Sequence, residues 1–292
     1  MGTGKYFVIG GRGYVGAELF SSIPDGVIGL RTASSDSAGF LRLRLEALQD
    51  FANLPIADRD VVFLTAAISA PDICAREHER AWAVNVTGTS AFISNAIDRG
   101  ARVIFFSSDT VYGEREDQFN ENAVCNPAGE YALMKREIEQ RFAGHSSFKS
   151  IRLSYVFSRE DKFTRYLVGC AQRNEEAELF HPFYRAIIHR NDVVEGALAL
   201  AERWHEIPEQ VINFCGPQVL SRVEFAECLR EIYFHELRFK VTEPDSDFFK
   251  NRPRVIAMTS SVIARLLGRA PRRLYDAVRM EFTSISNSEK VI

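Results

Sequence analysis

The sequence predicts an α/β; Rossmann-type architecture, a doubly wound parallel sheet with helices on both faces. Three observations carry that prediction. Short β-rich runs alternate with helical patterns through the first half of the chain, which is how strand–helix–strand units read. Those runs are nearly unbroken in apolar residues, as suits strands covered on both sides. A turn rich in glycine, Gly10-Gly11-Arg12-Gly13-Tyr14-Val15-Gly16, follows the first run directly and opens the first helical pattern.

In chain order, strands are expected at Tyr6–Ile9, Val27–Leu30, Val61–Thr65, Arg102–Ser107 and Ser150–Ser154. Between them helices are expected at Tyr14–Ser22, Glu46–Phe51, Arg76–Arg99 and Glu130–Phe142, the third long enough to be broken or flanked by loop. Past about residue 158 the alternation loosens. Helical patterns there cover Phe163–Arg173, Asp192–Trp204, Arg222–Phe234 and Ser260–Leu267, with strand-like runs at Ala186–His189 and Val211–Phe214. The expected division is a nucleotide-binding domain over 1–158 and a smaller substrate lobe over 159–292, with some segments returning to the first domain.

Composition narrows the partners. The 292 residues hold 36 Lys plus Arg against 39 Asp plus Glu, a net charge of -3, which gives no electrostatic reason to expect nucleic acid or an anionic membrane. The longest apolar stretches, such as Val61–Ile68, fall far short of the roughly 20 residues of a bilayer span. No basic segment followed by a long apolar run opens the chain, so no secretory signal is expected. The five cysteines contain no Cys-x-x-Cys and read as reduced thiols of a cytoplasmic protein. No Cys/His spacing suggests a metal site.

Glycines at Gly10, Gly13 and Gly16 let the backbone turn sharply and approach a diphosphate, and the helix behind them offers free N–H groups and a positive dipole end. At the end of the second strand an acidic residue would bind the adenosine ribose and repel a 2′-phosphate. The chain has Leu30-Arg31-Thr32 there, and Arg12 inside the loop. Two guanidinium groups near that ribose favour NADP, with NAD the lesser option.

Ser107-Ser108-Asp109-Thr110-Val111-Tyr112-Gly113 leaves a buried strand at its carboxyl end, the edge at which open α/β sheets bind ligands. Tyr131-Ala-Leu-Met-Lys135 puts a phenol and an ammonium on one helix face. The nearby cation is expected to lower the phenol's pKa toward working pH.

With these motifs the chain resembles the extended short-chain dehydrogenases/reductases, the NAD(P)-dependent epimerase/dehydratase group that acts on nucleotide sugars. The resemblance runs from the Gly10–Gly16 loop through Ala66-Ala67, Asn85-Val-Thr-Gly-Thr89, the Ser107–Gly113 turn and Asn126-Pro127 to Tyr131-x-x-x-Lys135. It continues into Arg185-Ala-Ile-Ile-His189-Arg-Asn-Asp192 and Arg252-Pro253. It implies that Ser108 hydrogen-bonds the substrate oxygen, that Tyr131 exchanges the proton, and that Lys135 holds the nicotinamide ribose. Where the family often carries Asp-Leu against the adenine, this chain has Arg44-Leu45. Where nucleotide-sugar 4,6-dehydratases carry Thr-Asp-Glu, it has Ser108-Asp109-Thr110, without the glutamate that drives water elimination. Asp109 resembles dehydratases and dTDP-4-dehydrorhamnose reductases, whereas Thr110 resembles UDP-galactose 4-epimerases.

Arg185 and Arg252 match family positions that reach the substrate diphosphate, and guanidinium suits phosphate oxygens. Ser69 is a further expected substrate contact, and Asp192 is expected to cap the helix it opens. The expectation is an NADPH-dependent reductase of a nucleotide-linked 4-keto-6-deoxy sugar, with a second copy of the chain as partner. The alternatives are a nucleotide-sugar 4-epimerase that retains NAD, and a non-catalytic NADP-binding regulatory subunit, for which the methionine adenosyltransferase regulatory subunit is a precedent.

Overall fold

The computed structural model describes residues 4–114 and 118–283. Its centre is a 7-stranded sheet built from β1 (Tyr6–Ile9), β2 (Gly29–Ala33), β3 (Leu41–Arg42), β4 (Val61–Leu64), β5 (Arg102–Ser108), β6 (Phe148–Leu153) and β7 (Val211–Phe214). The spatial order is β7-β6-β5-β4-β1-β2-β3, and every neighbouring pair is parallel. Strand order reverses beside β1, where the chain runs out to β2 on one side and to β4 on the other.

Residues alternate across the sheet with period two, and both faces are dry. Tyr6, Val8, Phe63, Ile104 and Ile212 enter one core, with the helices Arg190–Glu202 and Val262–Leu267 over them. Phe7, Ile9, Leu64 and Phe105 enter the other, under Phe92 of the helix Thr89–Asp98 and Ile138 of the helix Glu130–Arg141. That first core takes Leu19 of the helix Tyr14–Ser21 together with the two later helices, so residues after 158 complete one face of the main sheet. Val211–Phe214, read with the second lobe, is the seventh strand of the main sheet and pairs with β6.

Several elements differ from the expectation. The second strand begins two residues later than its apolar run, because pairing with β1 sets its register at Tyr6 opposite Gly29. The pattern over Arg76–Arg99 is split into His78–Trp82, a π-helical turn Ala83–Gly88 and Thr89–Asp98, with a separate helix Pro71–Arg76 ahead of it. Asp192 does not cap its helix. His189 does, accepting from Asn191 N at 3.2 Å, while Asp192 is fully buried against Arg269 and Arg272. The second lobe adds a small sheet containing Tyr184–Ala186, Val219–Ser221 and Val255–Met258. Among the described residues no helix is long and apolar enough to cross a membrane.

Candidate active site

A cleft of about 610 Å³ opens along the carboxyl ends of the parallel strands. Its floor is the glycine loop. Gly10 has φ +91°, and a Cβ there would sit 2.9 Å from the backbone of Ala66. A Cβ on Gly16 would lie 2.4 Å from the Gly10 carbonyl oxygen, so side chains at either place would push the loop off the sheet. The helix Tyr14–Ser21 starts from Gly13 with no side-chain cap, which leaves its leading N–H groups free for an anion. Tyr14 and Val15 also line the cleft, and the Tyr14 hydroxyl donates to Ser158 Oγ at 2.7 Å, tying the loop to the later half of the chain.

At the β2 end, Arg12 lines the cleft and donates to Ser35 Oγ at 3.3 Å. Arg31 lies outside the lining. Its guanidinium packs on Phe20 and Phe40, 4.4 and 4.1 Å from the ring centroids. Neither arginine has a carboxylate partner among the described residues, so the pair leaves positive charge unneutralised beside the cleft. Arg44 also lines it, pinned by Asp50 Oδ2, which accepts from its backbone N at 3.0 Å and its Nε at 3.1 Å.

The far wall is Ala66, Ala67, Ile68 and Ser69. Asn85, in the π-helical turn, holds this wall by pairing with both backbone groups of Ile68, at 2.8 and 2.9 Å.

Tyr131 and Lys135 stand one turn apart on the helix Glu130–Arg141 and both face the cleft. Lys135 Nζ donates to the Phe106 carbonyl at 2.6 Å and lies 5.7 Å from the Tyr131 ring centroid. Burial pulls the Lys135 ammonium down to about 8. It pushes the Tyr131 phenol up, with Cys74 and Asp109 adding to the rise. This corrects the expected depression of the phenol: desolvation outweighs the attraction of an ammonium spent on a carbonyl. In the protein alone Tyr131 is held protonated.

Ser108, Asp109 and Thr110 form the turn leaving β5, just past Ser107, which itself lines the cleft and was not singled out from the sequence. Ser108 Oγ accepts from Thr110 N at 3.3 Å and from Thr110 Oγ1 at 3.0 Å. Asp109 is buried, accepts from Ser154 Oγ at 3.2 Å and lies 3.5 Å from Arg185 Nε. Burial raises its carboxyl, against the opposing pull of Arg185.

The two arginines expected at the substrate diphosphate are both engaged inside the protein. Arg185 is buried and donates to the carbonyls of Tyr184 and Pro253 at 2.6 and 2.8 Å as well as facing Asp109. Arg252 grips both carboxylate oxygens of Asp72, at 2.7 and 2.5 Å. Neither lines the large cleft.

A support beneath the site also escaped the sequence reading. Glu139, one turn beyond Lys135, meets Arg152 of β6 through two bonds, Nε–Oε1 3.0 Å and Nη2–Oε2 2.7 Å, with both side chains buried. The 131–135–139 spacing was the available signal, since it puts all three on one helix face.

The comparisons with known proteins agree on family and fold. The family model described as "RmlD substrate binding domain" matches residues 4–279. The UDP-glucose 4-epimerase of Streptomyces lividans is 29% identical over 160 residues, 50% of this chain and 48% of that protein. The methionine adenosyltransferase 2 subunit beta of Xenopus laevis is 23% identical over 181 residues, 59% of this chain and 54% of that one. The chain thus spans about half the length of the curated relatives it matches. A hypothetical dTDP-4-dehydrorhamnose reductase from Sulfolobus tokodaii superposes with a TM-score of 0.81 at 21% identity, covering 92% of this chain and 98% of that one. With the family model spanning nearly all described residues, the chain belongs to the RmlD substrate-binding-domain family.

Proposed function

We propose that the chain is an NADPH-dependent reductase of a nucleotide-linked 4-keto-6-deoxy sugar. The observation that carries this reading is that Tyr131 and Lys135 stand one turn apart on one helix and face the cleft that the glycine loop floors. The residues fit a phosphorylated dinucleotide: a backbone cradle that no Cβ tolerates at Gly10 and Gly16, an uncapped helix behind it, and unneutralised Arg12 and Arg31 at the ribose end. Bound there, NADPH would supply the hydride. The protein's own part is the proton. Tyr131 donates it to the carbonyl oxygen, Ser108 fixes that oxygen by hydrogen bonding, and Lys135 stabilises the phenolate left behind. The likeness to a UDP-glucose 4-epimerase supports a second reading, in which the same groups move the hydride off and back on.

One experiment separates the readings. Desalted protein is mixed with NADPH and a nucleotide-linked 4-keto-6-deoxy sugar while the absorbance of NADPH is followed. The expected result is one NADPH consumed per product, with Tyr131→Phe slower by about 10²–10⁴. Protein that keeps NAD through desalting and interconverts hydroxyl epimers is the epimerase. Protein that binds NADPH without turning over any such sugar is a regulatory subunit.

A further inference from the structure

Four residues of the second lobe, Asn251–Arg254, touch three of the stretches that build the cleft. On one side Arg252 donates to both carboxylate oxygens of Asp72, at 2.7 and 2.5 Å. Asp72 lies in the first turn of the helix Pro71–Arg76, just past Ser69 of the far wall. In the middle, Asn251 packs on Gly129, from which the helix of Tyr131 and Lys135 starts; a Cβ on Gly129 would lie 2.9 Å from Asn251 Cα. On the other side Arg254 N donates to Glu114 Oε2 at 2.5 Å. The Pro253 carbonyl accepts from Arg185 Nη2 at 2.8 Å, and Arg185 in turn faces Asp109, the neighbour of Ser108.

The segment is anchored in its own lobe. The Arg252 guanidinium lies over the Phe248 ring, 4.9 Å from its centroid, and Phe248 meets Phe180 and Phe183 with centroids 4.9 and 5.8 Å apart. The Arg254 carbonyl accepts from Tyr184 N at 2.8 Å, and the chain then runs on as the strand Val255–Met258 beside Tyr184–Ala186. A two-pronged arginine–carboxylate pair fixes direction as well as distance. Arg252 and Asp72 therefore clasp a segment fixed in one lobe to a helix of the other. Tyr131 and Ser108 stand on separate elements, the helix Glu130–Arg141 and the turn leaving β5, so their spacing is a matter of tertiary packing. The segment bears on both.

We propose that Asn251–Arg254 is a strap that sets the Tyr131 helix against the Ser108 turn, with the Arg252–Asp72 pair as its clasp. Arg252 then acts through Asp72 as a positioning residue, and its charge is spent on the clasp rather than offered to an anion. Proton transfer is sensitive to such spacing, since a misplacement of about 1 Å can cost about 10²-fold in rate. That catalytic consequence rests on the reductase reading above; the strap itself does not.

The test compares wild type with Asp72→Ala, Arg252→Met and the exchanged pair Asp72→Arg with Arg252→Asp. Amide hydrogen exchange is measured on the free protein, and NADPH consumption with a nucleotide-linked 4-keto-6-deoxy sugar. The two side chains are 21% and 62% exposed, so losing the pair is expected to leave Tm within about 2 °C of wild type. Exchange over 246–254 and over 129–135 is expected to rise about three- to tenfold in each single variant. In the exchanged pair it should return to within about twofold of wild type, because the clasp is remade with its charges reversed. kcat is expected to fall about three- to tenfold in the single variants with KM for the sugar within about twofold, and to recover in the exchanged pair. Faster exchange confined to 246–254 would overturn the strap, as would an exchanged pair that exchanges as fast as the single variants. A KM that rises in Arg252→Met and stays high in the exchanged pair would assign Arg252 to the substrate and overturn its positioning role. Wild type that turns over no such sugar would sink the reductase reading, and the exchange rates over 129–135 would still uphold or overturn the strap.

Discussion

Glu139→Gln removes the counter-ion of a buried cation from the helix that carries Tyr131 and Lys135, and its cost follows from the geometry. Arg152 is almost fully enclosed and has a bidentate grip on Glu139. It also donates to the Tyr112 hydroxyl, 2.8 Å from Nη1, and neighbours the Cys125 thiol, neither of which carries a counter-charge. Breaking such a pair from one side costs about 3–5 kcal/mol, because the other charge stays buried. At about 2 °C per kcal/mol for a chain of this size, Tm should fall by roughly 6–10 °C. The reverse change is milder. Arg152→Met leaves Glu139 with Arg136, which sits 2.9 Å away and is partly exposed, so its loss should stand at or below the low end of that range. The expected order is therefore Glu139→Gln worse than Arg152→Met, with kcat falling alongside Tm because Tyr131 and Lys135 ride on the same helix. Scanning calorimetry on both variants measures this. Equal losses, or losses under about 1 kcal/mol, would refute the asymmetry and the support it implies.

Two further outcomes follow from charges in the cleft. Lys135 loses its proton near pH 8, so kcat/KM for reduction should fall as pH rises through about 8; a flat profile to pH 9.5 would show that the ammonium is not needed. The sign for stability is opposite. The folded value lies below the ordinary 10.5, so between those limits the unfolded chain binds more protons, and this residue's contribution to stability grows as pH rises. Arg31→Asp should weaken NADPH by about 10- to 100-fold and NADH far less, since only the former carries the 2′-phosphate; titration of both cofactors checks it, and equal changes would remove Arg31 from the cofactor site.

Much of the site could be read from local pattern. Tyr6–Ile9 and Val211–Phe214 form strands at the bounds their apolar runs suggested. The glycine loop leaves the end of β1, and the helix Glu130–Arg141 in the crossover from β5 to β6 brings Tyr131 and Lys135 to the same cleft, at the carboxyl edge where the topology leaves a crevice. What failed did so for physical reasons. The phenol's direction of shift depended on how dry its surroundings are, and burial is not a property of Tyr-x-x-x-Lys spacing. Arg44, which the resemblance set where the family meets the adenine, is held in place by Asp50, six residues on.

By itself the sequence determined the parallel α/β architecture, the glycine turn after the first strand and the placing of Tyr131 and Lys135 on one helix face, because period-two and helical apolar patterns, glycine conformation and i,i+4 spacing are all local. Tertiary structure alone decided which arginines are free. Arg12, Arg31, Arg185 and Arg252 look alike in sequence, but Asp109 and Asp72 neutralise the last two across long separations, while Arg12 and Arg31 meet a hydroxyl and two rings and no carboxylate among the described residues. A charge is available to a ligand only when the fold has not already paired it, and that pairing is made by residues far apart in the chain.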